Sequence, residues 1–221
     1  MTERVRKTQD FLREQFEQAA FFRENPADKA YRWEHSIRVA NIGAEIARAE
    51  GMDEEAMTVA CLLHDVGYGT DFPEGYDWKN HGRDGARIAR PFLETLGLTE
   101  ETVNDICYAI AIHVDDKADF EGRRCPFTET VGDADNIDRF DTYRIYEAVK
   151  YKGFAELELD SRLDWLRERL PQLRKLAGME FGTPTATALW RDKVNFQIEF
   201  FERLLAQMEL SRLPEEKEEL L

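Results

Sequence analysis

The chain has four histidines, and the spacing of their neighbours turns each of them toward the protein interior. His35 shares a helical face with Val39, and His113 shares one with Ile110. A single histidine on an apolar face is usually an ordinary core residue with a polar partner. Four such residues favour a shared partner, and a metal ion would satisfy several ring nitrogens at once. The four are His35, His64, His81 and His113.

Two carboxylates complete this candidate set of metal ligands. His64 and Asp65 are consecutive, so on a helix their side chains project about 100° apart and can contact an ion from two sides. Asp135 turns inward with the apolar stripe of its own helix. Three nearby acids are better explained as a solvated face or as charges at a helix N-terminus. These are Asp133, Asp138 and Asp141.

Elements with a period of 3.6 residues must position these side chains, and no alternation typical of strands competes with them. Gly51 and Gly97 mark helix ends, and Thr99 is a predicted N-cap. The expected fold is therefore all-α. The approximate helix ranges are 3–23, 28–50, 53–66, 81–96, 100–114, 128–151, 160–176 and 187–209.

Composition limits the classes of partner. A formal net charge of −15 opposes binding to nucleic acid and to an anionic membrane surface. The chain has no apolar run of about 18 residues, and its N-terminus is charged rather than signal-like. Three cysteines without CxxC spacing indicate neither a disulfide framework nor a thiolate zinc site. We therefore expect a cytoplasmic protein with no nucleic-acid or membrane partner.

Several segments resemble those of the HD-domain superfamily, which is named after its central His-Asp pair. "YRWEHSIRVANIGAEIA" is similar to the family's first-histidine helix, "ACLLHDVG" to its HD helix and "GDADNIDRF" to its last-aspartate helix. The resemblance covers residues 30–145 approximately. It implies an all-α helical bundle around a divalent metal, with most members hydrolysing phosphoesters or phosphoanhydrides. We expect a single domain over 1–221, with a core at about 28–150 and additional helices at both ends.

The resemblance also suggests how many ions bind. Simple HD enzymes hold one ion through the equivalents of His35, His64, Asp65 and Asp135. Members with two further histidines often hold two ions, bridged by the HD aspartate. "NHGRDGARIA" and "AIAIHVDD" resemble the segments that supply these extra histidines. The resemblance therefore implies a dinuclear site, in which His81 and His113 bind the second metal together with Asp65. Such ligands suit Mn, Fe, Co, Ni or Zn.

The expected reaction is hydrolysis of a small phosphorylated molecule, such as a nucleotide. A metal-bound hydroxide would be the nucleophile. Asp65 would act in catalysis through the metals. Arg83 is a candidate for stabilising phosphate charge, and Asp84 for orienting an imidazole or moving a proton. Further countercharge near the pocket could bind substrate, although each such residue is also explained as a solvated helix residue. These candidates are Arg38, Lys79 and Lys117.

Two other functions fit the same ligands. A few HD proteins with this set are mixed-valent diiron oxygenases that cleave C–C or C–P bonds. A binding module that keeps its metal without useful catalysis is the third class. Substrate, native metal and oligomeric state do not follow from the sequence.

Overall fold

A computed structural model describes residues 1–70 and 72–213, and within these ranges the chain is helical without any strand. The prediction of an all-α fold is confirmed. No helix in the described ranges is both long and apolar enough to cross a membrane. The α-helices are α1 (Glu3–Gln18), α2 (Ala20–Glu24), α3 (Pro26–Glu50), α4 (Glu54–Leu63), α5 (His81–Glu94), α6 (Glu100–Ile112), α7 (Pro126–Arg139), α8 (Thr142–Tyr151), α9 (Leu159–Ala177) and α10 (Pro184–Glu209).

Local sequence explains several helix ends. The Thr99 hydroxyl accepts a hydrogen bond from the Thr102 backbone N–H, as an N-cap should. Gly51 ends α3 with φ at +70°, a left-handed conformation that favours glycine. The range 128–151, expected as one helix, is instead divided into α7 and α8. Asp141 causes this break, because its carboxylate caps the new helix at the Thr142 N–H.

One compact unit comprises Met1–Asp138 with Phe181–Ala186. In its core, α3 packs against α4, α5 packs against α6, and α1 covers α4. Leu12 and Phe16 anchor α1 in this core and are almost completely buried. Burial of such large apolar side chains contributes on the order of 2 kcal/mol each. All six predicted metal ligands lie in this unit.

The second compact unit comprises Arg139–Glu180 and the described part of Thr187–Leu221. Its core contains Trp190 and Phe201 of α10 with a leucine stripe of α9. The indole N–H of Trp190 donates to the Leu176 carbonyl at 2.7 Å. The apolar face of α10 therefore lies in the core of this unit. The single-domain organisation of the whole chain stays a prediction.

Candidate metal centre

Five helices bring the six predicted ligands to one place. Two of the ligands lie within helices, His35 in α3 and Asp135 in α7. The others lie at helix ends, where the backbone changes direction: His64 and Asp65 follow α4, His81 begins α5, and His113 follows α6. All six side chains are buried.

Asp65 lies between two pairs of histidines. Its Oδ2 atom is 3.6 Å from His35 Nε2 and 3.5 Å from His64 Nε2. Its Oδ1 atom faces the other pair, at 3.3 Å from His81 Nε2 and 3.7 Å from His113 Nε2. One carboxylate thus presents a different oxygen to each pair.

Asp135 adds a second carboxylate to the first pair. Its Oδ1 atom is 3.1 Å from His35 Nε2 and 3.9 Å from His64 Nε2. Ligand atoms of these three residues lie within 4.8 Å of one another, a spacing that could hold a metal ion. His64, Asp65 and His113 form a second group with the same property.

Backbone carbonyls determine which nitrogen of three of the rings carries its proton. A carbonyl oxygen only accepts hydrogen bonds, so each Nδ1 must be the donor and each neutral ring presents an Nε2 lone pair. The Nδ1 partners lie three residues earlier in the chain: Cys61 O for His64, Trp78 O for His81 and Ile110 O for His113.

The Nε2 atoms then face each other in pairs. His35 and His64 are separated by 3.2 Å between these atoms, and His81 and His113 by the same distance. Two lone pairs this close repel unless a cation, either a proton or a metal ion, lies between them. Together with two carboxylates and no thiolate, this donor set fits a divalent transition metal.

Asp138 orients His35. The prediction that Asp138 lies on a solvated acidic face is therefore wrong. Asp138 is buried, and its Oδ2 atom accepts from His35 Nδ1 at 2.7 Å. Arg38 holds the same carboxylate with two hydrogen bonds, from Nε at 2.7 Å and from a terminal nitrogen at 3.1 Å. A carboxylate behind a ligating imidazole fixes its tautomer and raises its basicity.

The Asp138→Asn variant is therefore expected to bind metal about 10- to 100-fold more weakly, because His35 loses its anionic partner. Competition with a fluorescent chelator measures this affinity. Asp105→Asn is the matched control, since Asp105 also accepts from an arginine, Arg123, at 2.9 Å but contacts none of the ligands. Equal affinity of Asp138→Asn and the unmodified protein would contradict the role given to Asp138.

Charges around the site shift several pKa values in the metal-free protein. Burial opposes protonation of His35, but hydrogen bonds to Asp135 and Asp138 outweigh it and raise its pKa to about 9. Burial lowers the pKa of His64 to about 4. Burial also opposes ionisation of Asp65, yet His64 and the permanent charge of Arg32 hold its pKa well below the usual range. The centre therefore keeps an ionised carboxylate between its imidazoles.

Two glycines allow the helix ends that carry the ligands to approach one another closely. A Cβ atom on Gly67 would lie 2.3 Å from the His81 carbonyl oxygen. A Cβ on Gly82 would lie 2.8 Å from the carbonyl oxygens of Ile110 and Ala111. Because backbone atoms cannot move aside cheaply, only glycine fits at either position. These contacts place His81 beside the segment after α4 that carries Asp65.

Gly67→Ala should lower the free energy of unfolding by about 1–3 kcal/mol and reduce the bound metal, since α5 must move away from Asp65. Urea unfolding and elemental analysis measure the two effects. Gly178→Ala is the control, because a Cβ there would have an ordinary contact of 3.5 Å with the Lys175 carbonyl oxygen. If Gly67→Ala keeps the stability and the metal content of the unmodified protein, the close approach of Gly67 to the His81 carbonyl is unimportant.

Arg32 is a site residue that the sequence reasoning missed. Its guanidinium donates to Asp65 Oδ2 at 2.6 Å and lies over the Tyr68 ring, 3.8 Å from the centroid. The side chain keeps about a quarter of its surface exposed. Its position one helical turn before His35 was the available signal, because residues three apart share a helix face.

Arg83 lies near the centre, but carboxylate, amide and carbonyl oxygens occupy its donors. It donates to Asp115 at 2.8 Å, to Asn80, and to the backbone carbonyls of Lys79 and Lys117. It thereby ties the start of α5 to the loop that follows α6. Such contacts suit the positioning of the second histidine pair, and a direct catalytic role for Arg83 stays a prediction.

The remaining predicted site residues are exposed or are held by other groups. Asp84 accepts from the Tyr76 hydroxyl and from Arg87. Arg38 donates to Asp138 as described. Lys79 and Lys117 are exposed. Their proposed contacts with substrate stay predictions.

Comparison with known proteins agrees with this geometry. A family model described as HD domain matches residues 32–143, a range that contains all six ligands. The crystal structure of a predicted HD superfamily hydrolase from an uncultured Thermotogales bacterium has a similar fold, with a TM-score of 0.63 and 24% identity over 91% of each chain. A search of curated proteins gave no match. With more than half of its residues matched by that model, and with the His-Asp pair at its centre, the chain belongs to the HD domain family.

Proposed function

We propose that this protein is a metal-dependent phosphohydrolase that acts on a small phosphorylated molecule. One observation carries the proposal: the two oxygens of Asp65 face two different pairs of histidine Nε2 atoms. This arrangement suits two divalent ions that share one carboxylate. Paired ions are typical of sites that hydrolyse phosphate esters.

His35, His64, Asp65 and Asp135 would hold the first ion, and His81 and His113 would hold the second with Asp65. Mn, Fe, Co, Ni and Zn all accept such nitrogen and oxygen ligands. Bound ions of this kind lower the pKa of water toward neutrality and draw charge from a phosphoryl oxygen. Asp138 and the three backbone carbonyls keep every imidazole in the tautomer that presents Nε2.

Arg32 supplies a permanent positive charge beside the ligands. Its guanidinium is partly exposed while one terminal nitrogen holds Asp65 at 2.6 Å. A planar guanidinium can donate to two oxyanions at once. It can therefore orient Asp65 and also attract a phosphate in a chain whose net charge of −15 repels anions. Arg38, Lys79 and Lys117 remain the predicted further contacts with substrate.

The test is a panel of nucleotides and sugar phosphates, assayed without oxygen after loading the protein with Mn²⁺ or Co²⁺. Release of inorganic phosphate or pyrophosphate is expected, and a chelator should stop it. Elemental analysis of the purified protein identifies the metal that it carries.

Two outcomes would overturn the proposal. Turnover that requires both iron and oxygen would point to the diiron oxygenase class. Metal binding with no turnover of any phosphorylated compound in the panel would favour a binding module. The Asp65→Ala protein controls for contaminating phosphatases, since its background should equal that of the buffer.

A further inference from the structure

The second compact unit contains a pocket whose lining includes none of the six predicted metal ligands. Residues of α8, the turn after it and α9 line this pocket, which encloses about 690 Å³. Small-molecule sites in proteins have volumes of about 300–1,000 Å³. All of its lining residues lie between 143 and 169. We refer to it as the α8–α9 pocket.

Positive charge is concentrated there, although the chain as a whole is acidic. The lining has four cationic side chains and one carboxylate, Glu147. Glu147 is 3.6 Å from a terminal nitrogen of Arg144, a long and partly exposed ion pair that contributes little. The four cations are Arg144, Lys150, Lys152 and Arg169. In a protein with a net charge of −15, this grouping favours an anionic ligand.

Arg169 is incompletely hydrogen-bonded. Its Nε atom is buried and has no acceptor within the part of the chain that the structure describes. One terminal nitrogen is 3.5 Å from the Gln197 side-chain oxygen, at the limit of a hydrogen bond. Burial and the nearby Arg144 charge both lower the pKa of Arg169. An anionic oxygen at this guanidinium would add an acceptor to a side chain whose own hydrogen bonds are incomplete.

Aromatic rings adjoin these cations. The Arg169 guanidinium carbon is 5.5 Å from the centroid of Trp165, which also lines the pocket. Tyr143 and Tyr146 are about half exposed, and their ring centroids are 5.9 Å apart. The Lys150 ammonium lies 5.8 Å from the Tyr146 centroid. Exposed aromatic rings beside cations can stack a planar base while the cations bind its phosphates.

We propose that the α8–α9 pocket binds a nucleoside phosphate, with the phosphates at Arg144, Arg169 and the two lysines and the base on the exposed tyrosines. None of the residues that line this pocket is a predicted metal ligand or substrate contact. The inference does not depend on the chemistry assigned to the metal centre.

Calorimetric titration of the metal-free, chelator-treated protein with ADP tests the proposal. Saturable binding is expected. Arg144→Gln and Arg169→Gln should each weaken it about tenfold or more, because each removes a charged hydrogen-bond donor to phosphate. Arg174→Gln is the matched control on the same helix, since Arg174 is exposed and paired with Glu202 at 2.6 Å. It should bind ADP like the unmodified protein.

Two more measurements keep the test decisive if Arg169→Gln fails to fold. The exposed Lys150→Gln/Lys152→Gln double variant should also weaken ADP binding. Tyr146→Ala should weaken ADP binding about fivefold or more while leaving the weaker binding of inorganic pyrophosphate unchanged. Absence of saturable ADP binding, binding that none of these variants changes, or pyrophosphate binding as tight as that of ADP would each overturn the assignment.

Discussion

Asp65→Ala should abolish the binding of both proposed ions and, with it, the proposed phosphohydrolase activity. Each Asp65 oxygen faces a different histidine pair, so alanine removes a ligand from both positions. It also leaves the Arg32 charge unpaired beside the imidazoles, where it repels cations. Loss of several kcal/mol of transition-state stabilisation corresponds to a fall in activity of roughly 10³-fold or more. Elemental analysis and phosphate release measure the two effects on the same sample.

Asp192→Ala provides the control for this substitution, because Asp192 is a largely exposed carboxylate in α10. Its metal content and activity should equal those of the unmodified protein. Circular dichroism must show that Asp65→Ala keeps its helices. A folded Asp65→Ala protein that retains one ion and full activity would exclude the bridging role.

His81→Ala should have a different effect and leave about one ion bound. His81 faces Asp65 Oδ1 at 3.3 Å and His113 Nε2 at 3.2 Å, so its loss affects the second position. The first position keeps His35, His64, Asp65 and Asp135. Metal content is expected to fall from about two ions to about one, and activity by roughly 10²-fold or more, because one half of the proposed metal pair would be lost.

Glu74→Ala is the matched control for His81→Ala, since Glu74 is an exposed residue in the segment that leads to the same helix. It should retain both ions. If His81→Ala loses both ions, the two positions do not bind independently. If it retains both, His81 is not a ligand and the assignment of the second ion is wrong.

The sequence predicted the local features of the site well. Helical periodicity turned His35 and Asp135 inward, and both are buried in the middle of their helices. Gly51 and Thr99 were correctly expected at a helix end and at a helix start. These features depend on side-chain spacing and capping within a few residues, which a single helix expresses by itself.

Functional partners were predicted less well. Asp138 was taken for a solvated acid, yet it orients His35, a residue 103 positions away. Arg38 and Arg83 hold Asp138 and Asp115, contacts that helical periodicity did not predict, and their proposed roles toward substrate stay predictions. The periodicity of a helix indicates which face a side chain occupies. It does not indicate which residue of another helix will lie opposite.

Sequence alone therefore determined the helical fold, the inward direction of the four histidines and the identity of the His-Asp pair. The tertiary structure decided that Asp65 presents one oxygen to each histidine pair and that Arg32 lies beside it. These arrangements depend on the close approach of helix ends at Gly67 and Gly82, where a single additional carbon would collide with a backbone oxygen. Such an approach is set by the packing of whole helices against one another, and short-range sequence patterns do not encode it.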